Sequence, residues 1–458
     1  VSYLIAGAGP AGLAAVDTVR EFGDGTPITL VSDETPYSRM VLPYLMDGTI
    51  PEEHVYTASE EYLASKGVEG LFGKRVASID GSGAATLDDG TALTFEKALI
   101  ATGSSATRPP IPGADGTNVF NLWTLVDAKN VLARRGGEVV VVGAGFIAFT
   151  CLDALIKLAS KVTVIEVEDR ILPRMVDAEA AALVRSWLEE RGVEFLVGVK
   201  VAGIEDAGGR KRVSVEGGHG LDADVVVTAT GIKPNLDFVE GSGLDTDFGI
   251  RVDSRLGTSL PNVFAAGDVA QGPVIGGAEP EVHAIEPTAI EHGRVAGANL
   301  AGAGIDYWGS LLINIVSVQK LQIASFGNWS GTGGEVLTIK NPSGPIYRKL
   351  VFNNDTMVGA TLLGRPDDVA MLNDMGMVKG LIQTRAKLGE WRKYLDRHPL
   401  DVRRPYVASR AADELLRRRL LGRPSSPEGY RYPDPGPKYW EHHELFVGTK
   451  PKAPDESG

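Results

Sequence analysis

Short apolar runs that close on glycine punctuate the first 300 positions, and that rhythm predicts buried parallel strands alternating with helices. Val1–Ile5 is the first run, followed by the turn Gly7-Ala8-Gly9-Pro10-Ala11-Gly12, helical spacing over Leu13–Phe22 and a second strand at Thr26–Val31. The same order returns at Glu138–Val142, Gly143-Ala144-Gly145-Phe146-Ile147-Ala148 and Lys161–Glu166. Further strands are predicted at Lys74–Asp80 and Ala92–Phe95, flanking the turn Asp88-Asp89-Gly90, and at Ala98–Ser104, Ala223–Gly231 and Asn262–Val269. Beyond about Gly304 strand-like runs follow at Leu311–Val318, Ile323–Phe326, Glu335–Ile339, Tyr347–Phe352 and Met357–Leu363. Helical spacing covers Val369–Leu388, and His398–Gly458 shows no clear period.

A strand, a Gly-x-Gly-x-x-Gly turn, a helix and a second strand form a βαβ unit whose turn cradles a dinucleotide pyrophosphate. Gly7 permits the tight turn, Gly9 lets backbone approach the phosphates, and Gly12 lets helix and strand pack, with Pro10 and Ala11 between them. The free N–H groups of the helix's first turn face the anion. Gly143, Gly145, Phe146 and Ile147 repeat the arrangement, with Ala148 as the third small residue. Glu166 closes the second strand of that unit, where a carboxylate bonds both ribose hydroxyls of an adenosine and repels a 2′-phosphate. NADH is therefore expected over NADPH, and Arg170 is the nearby cation placed to weaken the preference. In the first unit Ser32 takes the equivalent slot, leaving Asp33 and Glu34 as alternatives for the ribose contact. Two cradles and a later strand ending in Gly267-Asp268 predict one bound flavin dinucleotide and one visiting nicotinamide. Asp268 would accept from ribityl hydroxyls or sit near the pyrophosphate; the alternative is a turn cap at a strand end.

The segment Glu34-Thr35-Pro36-Tyr37-Ser38-Arg39, with the Ala101-Thr102-Gly103 and Ala229-Thr230-Gly231 strand ends, resembles the pyridine nucleotide-disulfide oxidoreductase superfamily. More closely it is similar to the thiol-free branch of ferredoxin and rubredoxin reductases and the flavin module of NADH-dependent nitrite reductase. The resemblance covers about residues 1–390 and implies an α/β fold. It implies two Rossmann-like dinucleotide-binding domains plus a small α+β C-terminal interface domain. It places the FAD domain at 1–112 and 234–303, the NAD domain at 113–233 and the interface domain at 304–397, leaving 398–458 as an extended tail for partner docking.

The same resemblance implies that Arg39 lies along the flavin and that Val76 belongs to the FAD site. Ala101, Thr102 and Gly103 would cross close to the FAD, and Gly231 would end the matching strand beside NAD. Glu286, Pro287 and Thr288 would open a helix whose positive end faces the flavin N1–C2=O edge. Phe146 matches an aromatic position that covers the flavin face until nicotinamide displaces it; the alternative is a Phe that packs its helix. Val41 and Leu42 stand where the disulfide reductases carry a redox cysteine, Pro43-Tyr44 stands in place of a Ser-Lys pair, and Thr150 in place of a glutamate. Hydride transfer to flavin needs no side-chain acid or base, so none is named.

Composition narrows the chemistry further. Cys151 is the single cysteine of 458 residues, which excludes an intramolecular disulfide, a redox dithiol and a cysteine-held iron–sulfur cluster in this chain. No apolar run reaches membrane-spanning length and the sequence opens on a strand, so a cytoplasmic protein without membrane insertion is expected. The net charge of −13 argues against nucleic-acid binding. That charge is uneven: Arg385–Arg431 holds 13 Lys/Arg against 6 Asp/Glu, either a solvated helical surface or a docking surface for an acidic partner. His442-His443 lack ligand spacing, and no metal is expected.

The expected function is an FAD-dependent oxidoreductase moving hydride between NAD(H) and FAD and exchanging electrons with an iron–sulfur protein or subunit, as a homo-oligomer or part of a hetero-complex. The alternatives are an NADH oxidase, disfavoured by the missing cysteine, and a non-catalytic NAD-sensing scaffold.

Overall fold

The computed structural model describes residues 2–421, apart from 219, 278, 342–343 and 418–419. Two all-parallel, five-stranded sheets carry the glycine turns. The first runs 263–265, 97–100, 3–6, 28–32, 68–72 across the sheet, and the second 193–197, 161–166, 138–142, 225–228, 119–121. The first sheet thus draws its edge strand from beyond the whole of the second, so the two are threaded through one another in sequence. Their central strands hold apolar runs because both faces are covered, as Val139–Val142 and Leu99–Ile100 show by being buried throughout.

A third sheet is antiparallel, in the order 313–318, 321–327, 356–364, 346–353, 335–341. It packs on the helix Val369–Thr384 through Phe326, Leu350, Phe352, Leu362, Val378 and Leu381. It is also tied to the second parallel-sheet unit. Asp153 accepts from the Gln319 backbone N–H and side-chain amide, each at 2.8 Å, and Asp177 accepts from Tyr347 at 2.6 Å and Lys349 at 2.9 Å.

Two sequence expectations change. The segment 74–95 is a three-stranded antiparallel sheet of 76–79, 84–87 and 92–94, and the turn Asp88–Gly90 joins its last two strands. Ala84–Leu87 carries a single β-branched residue, Thr86, and is held by burial of Ala85 and Leu87. The stretch from 398 is not extended throughout: Arg403–Ala408 and Ala411–Arg417 are helices. They are held because Val402, Pro405 and Ala411 are buried, while Gly380 lets Tyr406 and Leu415 close on the long helix. Residues 422–458, with Tyr430, Tyr432, Tyr439, Trp440 and His442-His443, lie outside the described residues.

Candidate functional site

The two glycine turns are built alike. Gly7 has φ +114°, and a Cβ there would lie 2.1 Å from the Ala101 carbonyl oxygen; Gly143 has φ +103°, and its Cβ would lie 2.5 Å from the Ala229 oxygen. Each first glycine is thus pressed against the end of the strand that enters the neighbouring crossing, where no side chain fits. Gly9 and Gly145, by contrast, face open space, with no atom within 4 Å of where a Cβ would stand. These are the two points where a pyrophosphate would approach. No side chain caps the first cradle helix, Pro10–Glu21, or the second, Phe146–Leu158, so an anion is the natural partner for their first-turn N–H groups.

A third helix, Glu286–Leu300, closes over the first cradle. A Cβ at Gly293 would lie 2.1 Å from Ala11 O, and one at Gly297 would lie 2.6 Å from Ala15 O. Gly267 fits between the Cβ atoms of Ala11 and Ala289. The first turn of this closing helix, with Glu286, Pro287 and buried Thr288, is thereby brought beside Gly267-Asp268 and the first cradle. Burial alone raises the half-buried Glu286 carboxyl above its ordinary value.

Asp268 accepts a hydrogen bond from Ser104 Oγ at 2.6 Å. Burial pushes its carboxyl above the usual carboxylate range, opposed by the Ser104 bond and the nearby Arg39 charge. Arg39 pairs with Glu34 at 2.8 Å and lies 5.8 Å from the Tyr37 ring centroid and 5.5 Å from that of Trp123. Tyr37 donates to Glu34 at 3.0 Å and accepts from the Leu125 N–H at 3.1 Å. Arg39 Nε is buried and has no hydrogen-bond partner among the described residues. A buried cationic donor left open beside a carboxylate, a hydroxyl and an open glycine cradle fits a polar, anionic ligand.

Asp33 and Glu34, alternatives in the sequence, have different neighbours. Asp33 pairs with Arg75 at 2.7 Å, whereas Glu34 is taken up by Arg39 and Tyr37. Val76 is buried in the core under the first sheet, among Leu4, Ala6, Val31 and Leu87. Thr102, Gly103 and Gly231 meet at the crossing between the two sheet units. Asn235 donates to Thr102 O at 2.8 Å and to Gly103 O at 3.0 Å, and Thr107 N–H donates to Gly231 O at 2.8 Å.

In the second cradle Glu166 accepts from the Ala144 N–H at 2.6 Å and from the Glu168 N–H at 3.0 Å. Each carboxylate oxygen keeps a free lone pair for a ribose hydroxyl. Arg170 is tied elsewhere, to Asp169 at 2.8 Å and to the carbonyls of Pro173 and Val176 at 3.0 and 3.3 Å. Phe146 and Ile147 begin the second cradle helix, half-buried against its core. Cys151 is buried on that helix, its thiol pushed up to about 12 by burial, a structural rather than a reactive cysteine.

Sequence reasoning missed Ser104, Trp123, Tyr37 and Asn235. Tyr37, Ser104 and Asn235 stood in or beside quoted motifs, but their partners, and Trp123 altogether, become visible only once strands distant in sequence are brought together. Cations in the described part of the basic segment are largely paired, mostly with carboxylates of the segment itself. Lys387, Arg392, Lys393, Arg404, Arg410 and Arg417 pair with Asp355, Glu335 and Asp396, Glu390, Asp401, Asp413 and Glu414. Among the described residues no His/Cys/Asp/Glu group could hold a metal, and no helix is long and apolar enough to cross a membrane.

Comparison with known proteins agrees with this architecture. The chain is 32% identical over 417 residues to the NADH-dependent phenylglyoxylate dehydrogenase subunit epsilon of Aromatoleum evansii, covering 89% of this chain and 97% of that subunit. It is 31% identical over 381 residues to the rhodocoxin reductase of Rhodococcus erythropolis, covering 80% and 87% of the two chains. The crystal structure of a covalent putidaredoxin reductase–putidaredoxin complex contains a chain alike in fold, with a TM-score of 0.81 and 23% identity over 90% of this chain and 99% of that one. Residues 1–295, which hold both glycine cradles and the Gly267-Asp268 strand end, match the pattern of the pyridine nucleotide-disulphide oxidoreductase family, and the chain belongs to that family.

Proposed function

We propose that this oxidoreductase, which works with FAD and NAD(H), takes hydride from NADH and hands the electrons to an iron–sulfur carrier or partner subunit outside the chain. The observation that carries the reading is the pair of matching cradles, open at Gly9 and Gly145, in a chain whose single cysteine is buried. With no accessible thiol in the chain, electrons accepted at the first site have no internal dithiol to pass to. The likeness to a subunit of an NADH-dependent dehydrogenase and to a rhodocoxin reductase supports an external redox protein at the far end.

The chain's own residues divide the work. Gly7–Gly12 and the first cradle helix would hold the FAD pyrophosphate, Asp268 and Ser104 its polyol, and Arg39 its polar edge. Asp33, paired with the exposed Arg75 through one oxygen, would be the better placed for the adenosine ribose, because both oxygens of Glu34 are taken by Tyr37 and Arg39. Gly143–Ile147 and Glu166 would hold NADH, with half-buried Phe146 at the head of the second helix excluding water. Bound FAD supplies the capacity to accept a hydride and to release its electrons singly. The protein's contribution is to hold two dinucleotides in register.

Purified protein should be yellow, release FAD rather than FMN, and bleach rapidly with NADH under anaerobic conditions. A colourless protein reconstituted with neither flavin would overturn the reading. Fast bleaching followed by slow reoxidation in air, with fast reoxidation by an iron–sulfur carrier, is the expected pattern. Rapid turnover with oxygen alone would favour an NADH oxidase, and no bleaching at all a sensing scaffold.

A further inference from the structure

We propose that Trp123 is a positioning residue of the flavin site, holding Arg39 with its ring face and the Ser104–Asp268 pair with its indole N–H. The proposal rests on the FAD reading above and extends it to a residue outside the glycine motifs. The Arg39 side and the Asp268 side of the cluster come from separate parts of the chain. Glu34, Tyr37 and Arg39 follow the second strand of the first sheet. Ser104 follows the strand Lys97–Ile100, and Asp268 follows Val263–Ala265.

Between Arg39 and Asp268 there is a charge attraction but no hydrogen bond among the described residues. Trp123 reaches both sides. Its Nε1–H donates to Ser104 O at 2.9 Å, the same residue whose hydroxyl donates to Asp268. Its ring stands 5.5 Å from the Arg39 guanidinium carbon, with Tyr37 at 5.8 Å. Such a distance is within cation–π range, and the attraction grows where water is excluded.

The tryptophan is itself held in place. Its backbone N–H donates to Asp127 Oδ2 at 3.2 Å, and Thr124 and Asp127 close a capping box at the start of the helix Leu125–Leu132. The next residue of that helix start, Leu125, gives its N–H to the Tyr37 hydroxyl. The segment 123–127 therefore grips the 34–39 segment at two points and the Ser104 crossing at a third. A small shift of this segment would move the guanidinium and the carboxylate relative to one another. Because Arg39 Nε has no protein partner among the described residues, its aim into the site is set by the rings on its flanks and by Glu34.

The test separates ring from N–H. Trp123→Phe keeps an aromatic face for Arg39 and removes the bond to Ser104; Trp123→Leu removes both. With the FAD-loaded protein, Trp123→Leu should weaken FAD binding about tenfold or more. It should also shift the midpoint potential and blur the vibronic shoulder of the visible flavin band, and Trp123→Phe should recover part of each change. In a double-mutant cycle, Trp123→Leu and Arg39→Gln should be non-additive, since one acts through the other. The proposal is overturned if Trp123→Leu binds FAD with wild-type affinity, potential and spectrum, or if it only lowers the melting temperature while the cycle is additive. A wild-type protein that holds no FAD would instead overturn the functional reading on which the proposal stands.

Discussion

Gly293→Ala is the sharpest probe of how the closing helix positions the first cradle. The added methyl would sit 2.1 Å from Ala11 O, 2.8 Å from its carbonyl carbon and 2.9 Å from its Cα. All three are backbone atoms, so no rotamer change relieves the contact. Ordinary van der Waals separation requires the two helices to part by about 1.3 Å at this point. Overpacking of this kind costs about 1–3 kcal/mol, while replacing a mid-helix glycine by alanine returns about 0.5–1 kcal/mol. A net destabilisation of about 1–2 kcal/mol is expected.

The more telling effect is on the ligand. Ala11 lies in the turn between Gly9 and Gly12 and touches Gly267, so pushing it moves the cradle relative to Asp268. FAD affinity should fall about tenfold, equivalent to about 1.4 kcal/mol. Gly376→Ala, at an exposed helical position with no atom within 4 Å, is the control and should gain stability by about 0.5–1 kcal/mol. Urea midpoints and FAD titrations of both variants decide the matter. If Gly293→Ala matched the control in stability and the wild type in affinity, the close helix approach would be refuted.

The other predictions are shorter. NADH should outcompete NADPH in kcat/KM for flavin reduction, because Glu166 would meet the ribose hydroxyls and Arg170 is held by Asp169, Pro173 and Val176; equal values would contradict this. Asp268→Asn should raise the melting temperature of the FAD-free protein at pH 7 and lose FAD affinity. The raised folded value makes this carboxyl's favourable contribution complete below its ordinary value and lost as pH rises through the raised one. An unchanged melting temperature at pH 7 would count against a destabilising buried charge. His292 is buried with neither ring nitrogen bonded among the described residues, and burial, then the neighbouring His283, lowers it to about 3. Its neutral form therefore supports the fold fully above about 6.5 and less as pH falls toward 3, at up to about 1.4 kcal/mol per unit. His292→Phe should flatten that acid limb of the stability curve, and an unaltered limb would exclude the residue.

The sequence alone determined the two cradles and the parallel strands around them, because a tight phosphate turn admits so few residue types. Gly7 and Gly143 need positive φ and bare Cα atoms against Ala101 O and Ala229 O, a requirement local enough to leave a motif. Continuous valine runs such as Val139–Val142 likewise carry their own burial signal. What lies across the cradle was decided only in three dimensions. Trp123 and Ser104 are 19 positions apart, and Ser104 and Asp268 are 164 apart, so no local pattern announces them. Charge reads poorly for the same reason. The basic count after Arg385 did not show that Arg392 folds back onto Glu335, 57 positions upstream. Residue type fixes which group can bond or bear charge, but partners and solvent exclusion are set by packing, and these decide whether that group anchors the fold or faces a ligand.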